Sequence, residues 1–333
     1  MIKIKNTLSL LSRISVSILL LALLFKFNKI DPRVLINDIA SADKRLLTAG
    51  FLFFFLVYCL SFFRWQMLLR AVGISIPLTR LISSFSGGIF FSIFLPSTIG
   101  GDLVRAADLA QHTQKAREVI ATVFLDRLSG YVGLVLVILP ALLLGRGLVL
   151  DKVVFTSVSV IIILLAIVLL VLFNNNIYAR ITKFLVSGGS GRIKETIKNM
   201  HQEIHVFRGH KRLIILNLFT SFIIQLIGPV SVYLIGLSLG IKVNFIYFLI
   251  FLPIIGAITL LPIAIGGLGL REGLFVVYFA KAGVVKQLAL AMSLLSFSFV
   301  VFYGAIGGLI YVLTVHRRRL QPTEPSINNE HIG

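Results

Sequence analysis

Six charged residues stand within or beside long apolar runs: Asp102, Arg105, Asp126, Arg127, Arg271 and Glu272. Two of them close a repeated pattern. Residues 95–105 read LPSTIGGDLVR and residues 261–271 read LPIAIGGLGLR, six identities at one spacing. A guanidinium at that position suits phosphate or carboxylate, which it grips with two parallel N–H groups. Proline removes a donor and stops a helix, and the pairs Gly100–Gly101 and Gly266–Gly267 permit backbone angles that other residues resist. The residues after each pair, Leu103–Ala110 and Leu270–Ala280, read as new helices. Their N-termini would offer unpaired N–H groups to the same anion, one turn from Arg105 and Arg271. A plainer reading stands beside this one. Gly-Gly also lets helices pack closely, and Asp102 is a helix-capping type. The stretch GLGLREG is not a nucleotide loop, because its spacing is not G-x-G-x-x-G and no strand precedes it.

Magnitude says where these charges point. One charge at the bilayer centre costs roughly 2.5–3.5 kcal/mol, so four facing lipid would cost about 12 kcal/mol, comparable with a domain's whole stability of roughly 5–15. They are expected to face inward, paired or hydrated. An ion-pair set such as Arg271 with Asp102 or Asp126 would lock the bundle and is compatible with a binding site there. Asp126 and Arg127, in VFLDRLSGYVGL, are placed at the cytoplasmic end of a span, where Arg127 would snorkel.

The elements that must hold these residues follow from composition. Of 333 residues 57% are apolar and only 14% charged, where a soluble domain is about a quarter charged. Val153–Phe173 carries no charge and is long enough to cross a hydrocarbon core of roughly 30 Å. Short segments alternating apolar and polar, the mark of a β-barrel, are missing. The fold class is all-α: a polytopic transmembrane helical bundle. A net charge of +19 fits basic cytoplasmic loops rather than nucleic acid. Cys59 lies alone in an apolar run and gives neither a disulfide nor a metal site.

Six segments are long enough to span: about 8–27, 46–64, 119–145, 152–173, 213–237 and 287–315. The first follows Lys3 and Lys5 without a small-x-small cleavage site and reads as a retained signal anchor. The strongly basic loop 174–212, the tail His316–Arg319 and the N-terminus are expected in the cytoplasm. Residues 81–118 then start and finish inside, and 240–286 start and finish outside. The two motifs, in repeat elements near 81–110 and 245–281, would thus lie in two re-entrant helical hairpins entering from opposite faces. That is an inverted repeat, the device by which secondary transporters build a midplane site. Pro140, Pro229 and Pro253 are expected to kink or break helices. In 190–212 Ile193, Ile197, Met200, Ile204 and Phe207 follow helical spacing with basic residues between. This helix would lie either on anionic inner-leaflet lipid or on the protein's own cytoplasmic face. His201, His205 and His210 make no metal site. One transmembrane domain is expected over 1–317, with a disordered polar tail over 318–333.

The motifs PSTIGGDLVR at 96–105 and PIAIGGLGLREG at 262–273, with FLDRLSG at 124–130, resemble the flippase-like family, also called the lysylphosphatidylglycerol synthase transmembrane region. The resemblance runs from about residue 8 to 315, with Ser97 where the family pattern would have glycine. It implies an integral membrane protein that moves or handles envelope lipids. The best-known members carry aminoacylated phosphatidylglycerol and continue into a soluble aminoacyl-transferase domain. This chain stops at Gly333, so synthase activity is not expected. Other stand-alone members are linked to polyprenol-glycan pathways. The first expectation is therefore a lipid translocator in the cell membrane, both termini cytoplasmic, with Arg105 and Arg271 engaging a lipid phosphate and neither cofactor nor catalytic residue. Its substrate would be a phospholipid or a polyprenyl-linked lipid. Two alternatives stay open. One is a membrane enzyme using Asp102, Asp108 or Asp126, although no D-x-D or H-x-x-x-D cluster is present. The other is an accessory subunit of an envelope-biosynthesis enzyme. A second copy of the chain is a further expected partner.

Overall fold

The computed structural model describes residues 2–28, 30–95, 98–147, 151–173, 211–261 and 265–320. These form eleven α-helices and one short 3-10 turn, with no strand among them. In order they are α1 (Ile2–Asn28), α2 (Pro32–Ala40), α3 (Lys44–Ala71), α4 (Leu78–Phe94), α5 (Thr98–Thr113), α6 (Ala116–Leu144), α7 (Lys152–Phe173), α8 (Lys211–Ser238), α9 (Phe245–Ile258), α10 (Leu270–Lys281) and α11 (Lys286–Leu320). Five of them, α3, α6, α7, α8 and α11, are long and apolar enough to cross a membrane. α1 covers the sixth expected span, and its described apolar part is Ser15–Asn28. The protein is a polytopic helical membrane protein.

Local sequence sets several boundaries. Asp31 accepts the Arg33 N–H at 2.8 Å with Pro32 at the first helical position, which starts α2. Asp43 accepts the N–H groups of Arg45 and Leu46, at 2.7 and 3.2 Å, and starts α3. Pro140, Pro229 and Pro253 lie inside α6, α8 and α9, which continue through them, so none of the three breaks its helix. The basic loop with its expected amphipathic helix lies outside the described residues, apart from Lys211 and Arg212, which open α8. The tail beyond Leu320 lies outside them too.

Contacts sort the connections into two ends. At one end the Asp43 N–H donates to the Ser238 carbonyl at 3.0 Å, Gln287 donates to Asp38, and Lys281 Nζ meets Asp151 at 2.5 Å. That last hydrogen bond holds the Asp151 carboxyl below the usual carboxylate range. At the other end Ile74, between α3 and α4, packs with Leu109 of α5 and Val119 of α6, while Leu213 and Ile214 of α8 pack on Leu68 and Ala71 of α3. The hairpin α4–α5 therefore opens onto one end of the bundle, and α9–α10 onto the opposite end. Their inner ends meet: a Cβ built on Gly266, within the 3-10 turn Ile265–Gly267, would sit 2.7 Å from the Ile93 carbonyl of α4.

Two apolar cores lie towards the two ends. Trp65, Leu69, Leu81, Leu109 and Val119 form one, and the larger one gathers Ile138, Ile235, Phe248, Phe251, Phe279 and Leu290. Along α6, Val119 and Val123 belong to the first core, Leu134 and Ile138 to the second. The charges Asp126 and Arg127 fall between them.

Candidate lipid-binding site

Asp126 is the tenth residue beyond the first of α6, about 15 Å along the helix at 1.5 Å per residue. A carboxylate at that depth needs partners, and two neighbouring helices supply them. Arg64 Nε of α3 donates to Asp126 Oδ1 at 2.7 Å, and Arg105 Nη2 of α5 donates to Asp126 Oδ2 at 2.8 Å. The same Arg105 nitrogen lies 2.9 Å from Asp102 Oδ1, one turn away on α5, and Asp102 also accepts from Arg127 Nε. The five charges alternate in one row: Arg64, Asp126, Arg105, Asp102, Arg127. Four of them expose a tenth or less of their side chains, while Arg127 exposes 37%.

Polar neighbours fix the row. Arg64 Nη1 donates to the Ser221 hydroxyl of α8 at 3.1 Å. The Arg105 guanidinium lies 4.5 Å over the Trp65 ring and 5.7 Å from Phe85, contacts that strengthen when both groups are desolvated. Trp65 is itself buried and donates its indole N–H to Thr122 at 3.3 Å. Arg105 Nε has no hydrogen-bond partner among the described residues. Three guanidinium groups against two carboxylates leave the row one positive charge.

The row lines a cavity of about 580 Å³ enclosed by α3, α4, α5, α6, α8, α9 and α11. Arg64, Asp102, Arg105, Asp126 and Arg127 form its charged part. Most of the remaining wall is apolar or aromatic, including Phe54, Tyr58, Ile89, Leu134, Ile224 and Leu252. A charged floor with apolar walls is the shape of a site for an amphiphile.

The remaining motif residues sit elsewhere. Arg271 pairs with the adjacent Glu272, which is fully buried and also accepts the Gly269 N–H at 2.6 Å. The Arg271 guanidinium lies 4.2 Å from the Phe297 ring of α11. The expected ion pair of Arg271 with Asp102 or Asp126 does not form. Glu272 sits three residues after the helix cap, where its carboxylate closes back on the turn and meets the arginine next to it. Neither Arg271 nor Glu272 is among the residues lining the cavity.

The two glycine pairs also differ. Gly266 and Gly267 adopt φ of 56° and 75°, a left-handed conformation that glycine takes without strain. Gly100 and Gly101 are instead helical, since α5 begins at Thr98 and not after the pair. Their role is close approach: a Cβ on Gly101 would lie 2.1 Å from the Gly88 carbonyl of α4. Arg105 consequently sits two turns into its helix, while Arg271 is the second residue of α10. Asp108 ties the open end of its hairpin, accepting from Arg80 at 3.0 Å and from the Ser84 hydroxyl.

Arg64 is the one member of the charged row that is absent from the six charges singled out in the sequence. It stands at the last position of the expected span 46–64. α3 runs on to Ala71, which buries Arg64 about 10 Å from the end of the helix. The signal was available, because Arg64 is flanked by Phe62, Phe63, Trp65, Leu68 and Leu69, the same apolar setting that marked Asp126.

Two archaeal proteins are similar over most of this length. A UPF0104 membrane protein of Methanothermobacter thermautotrophicus is 25% identical over 289 residues, covering 79% of this chain and 83% of its own. A UPF0104 membrane protein of Pyrococcus horikoshii is 24% identical over 265 residues, covering 72% and 79%. Residues 10–308 match the family described as lysylphosphatidylglycerol synthase TM region, and the chain belongs to that family.

Proposed function

We propose that this protein moves an anionic lipid between the leaflets of a cell membrane, with the lipid phosphate held on the arginines of the cavity. The observation that carries the reading is the buried row of three arginines and two aspartates beneath apolar walls. Its surplus positive charge is complementary to one phosphodiester, and Arg127, the most exposed member, is the group that meets the phosphate first. A volume of about 580 Å³ falls within the roughly 300–1,000 Å³ of small-ligand pockets and suits a headgroup rather than a whole phospholipid. The hairpins that open onto opposite ends are then re-entrant elements of an inverted repeat meeting near the midplane. The basic loop 174–212 and both termini lie in the cytoplasm, and the membrane is the plasma membrane. Both aspartates are held by two arginines each, which favours a scaffold for an anion over a general base. The family membership supports a membrane-embedded lipid handler in coarse terms.

The test is lipid exchange in proteoliposomes, with headgroup-labelled phosphatidylglycerol and phosphatidylcholine. Wild type should accelerate exchange of the anionic lipid over the zwitterionic one. Arg127→Gln should lose at least tenfold of that rate while keeping its thermal stability. A folded wild-type protein that moves no lipid, a polyprenyl phosphate included, would sink the proposal.

A further inference from the structure

If the headgroup fills the cavity, the acyl chains must leave it somewhere, and the walls are not equivalent. On α3 the cavity face runs Phe54, Val57, Tyr58, Ser61, Arg64, one helical stripe. It turns from charged at Arg64 to aromatic at Phe54 over ten residues, about 15 Å. Across from this stripe stands α11. There Tyr303 stacks on Phe51 with centroids 4.6 Å apart, and also meets Phe54, Phe55 and Tyr58 at 6.1, 5.7 and 5.5 Å. Phe54 and Tyr58 line the cavity, whereas Phe55 and Phe302 are each 51% exposed on the outer surface. Tyr303 touches rings of both sets. At this level the wall between cavity and surroundings is an aromatic layer in which Tyr303 bridges the cavity-lining rings and the exposed ones.

Other walls close by backbone contact. A Cβ built on Gly50 of α3 would lie 3.0 Å from the Ser231 carbonyl of α8. A Cβ on Gly133 of α6 would lie 2.9 Å from the Ser221 carbonyl of α8, and one on Gly307 of α11 would lie 2.7 Å from the Ser86 carbonyl of α4. Between α3 and α11 the corresponding tie is one hydrogen bond, Tyr303 Oη to the Phe51 carbonyl at 3.0 Å. Rings in such a layer yield by rotating, on a far faster timescale than helices separate.

We infer that the aromatic seam between α3 and α11 is the acyl-chain subsite, through which the chains of a lipid seated on Arg105 and Arg127 pass between Phe54, Tyr58 and Tyr303 into the bilayer. The inference rests on the lipid-handling reading above and adds the route. Its occupant is an acyl chain because the seam is apolar and continuous with the charged floor that takes the phosphate.

The test uses the full chain in phosphatidylcholine vesicles containing phosphatidylglycerol with a diazirine in one acyl chain. After irradiation, adducts are mapped by mass spectrometry. Surrounding lipid labels Phe55 and Phe302 in any case, so the reading is taken at the inner rings. Adducts on Phe54 and Tyr58 should fall at least fivefold in Arg127→Gln, with those on Phe55 and Phe302 unchanged. Inner adducts on another wall, such as Ile89 or Leu260, with Phe54 and Tyr58 blank, would overturn the seam. A second arm links Phe51→Cys to Tyr303→Cys, in a Cys59→Ser background, with a short reducible thiol reagent. Linked protein should transfer lipid at least tenfold more slowly than the same protein after reduction. Full linkage with unchanged transfer overturns the seam and leaves translocation standing. If wild type transfers nothing, translocation fails alone, and the adduct map still decides where the chains lie.

Discussion

Glu272 exposes none of its side chain, and its compensating charge is the neighbouring Arg271, whose side chain is 15% exposed. Breaking such a pair leaves a buried charge uncompensated, at a cost of roughly 3–5 kcal/mol, whereas removing both charges is often neutral. Arg271→Gln should therefore lower stability by about 3 kcal/mol in thermal unfolding in detergent, and the double variant Arg271→Gln/Glu272→Gln should recover most of the loss. Glutamine at 272 still accepts the Gly269 N–H, so the cap survives in the rescue. Additive losses would mean the two side chains do not compensate each other. This contrast separates residues that look alike in the sequence. Asp102, Arg105, Asp126 and Arg127 were legible as inward-facing because a charge in an apolar segment is costly to expose to lipid. That cost does not say which partner each charge takes. Arg271 found its carboxylate at the next residue, while Asp126 drew on Arg64, 62 positions earlier. Long-range pairing is a property of helix packing, and a single chain of residue types does not encode it visibly.

At the scale of elements, the two copies of Leu-Pro-x-x-Ile-Gly-Gly-x-x-x-Arg do different mechanical work. The second uses positive φ at Gly266, Gly267 and Gly269 to turn the chain before α10. The first lies inside α5 and uses the missing Cβ of Gly101 to bring α5 against the Gly88 carbonyl. The repeat was legible and so were the hairpins, but a glycine reads the same whether it supplies a turn or a contact. Ser97 and Thr98, both helix-capping types, precede the first pair and signal an earlier helix start, which the second copy replaces with Ile263 and Ala264. Gly101→Ala must push backbone from backbone, and overpacking of that kind costs roughly 1–3 kcal/mol. Gly256→Ala, on the cavity wall with nothing within 4 Å of the added Cβ, should leave stability unchanged or slightly raised. Equal losses in unfolding measurements on the two variants would remove the close-approach account of the first motif.

For the whole molecule, the arrangement of ends carries the argument. One end gathers Asp43, Asp151, Ser238, Lys281 and Gln287, the other Ile74, Leu109, Val119 and Leu213. Counting crossings between basic loops leads to the same division, and the count assumes that each apolar span is one continuous helix, as α3, α6, α7, α8 and α11 are. Which end faces the cytoplasm is a separate matter. Lys and Arg occur at both ends among the described connections, for example Lys115 and Arg117 at one and Lys242 and Lys281 at the other. The bias rests on the loop 174–212 and on His316–Arg319. Lys115, between α5 and α6, and Lys281, at the close of α10, are both exposed and report on the two hairpins. With Cys59 replaced by serine, Lys115→Cys should react with a membrane-impermeant maleimide only after the cells are opened, and Lys281→Cys should react in intact cells. The reverse pattern would invert the orientation while leaving the two hairpins on opposite sides. Labelling of both from one side would mean that the hairpins enter the membrane from the same face, and two helix tips approaching from opposite leaflets would no longer account for the contact between Ile93 and Gly266.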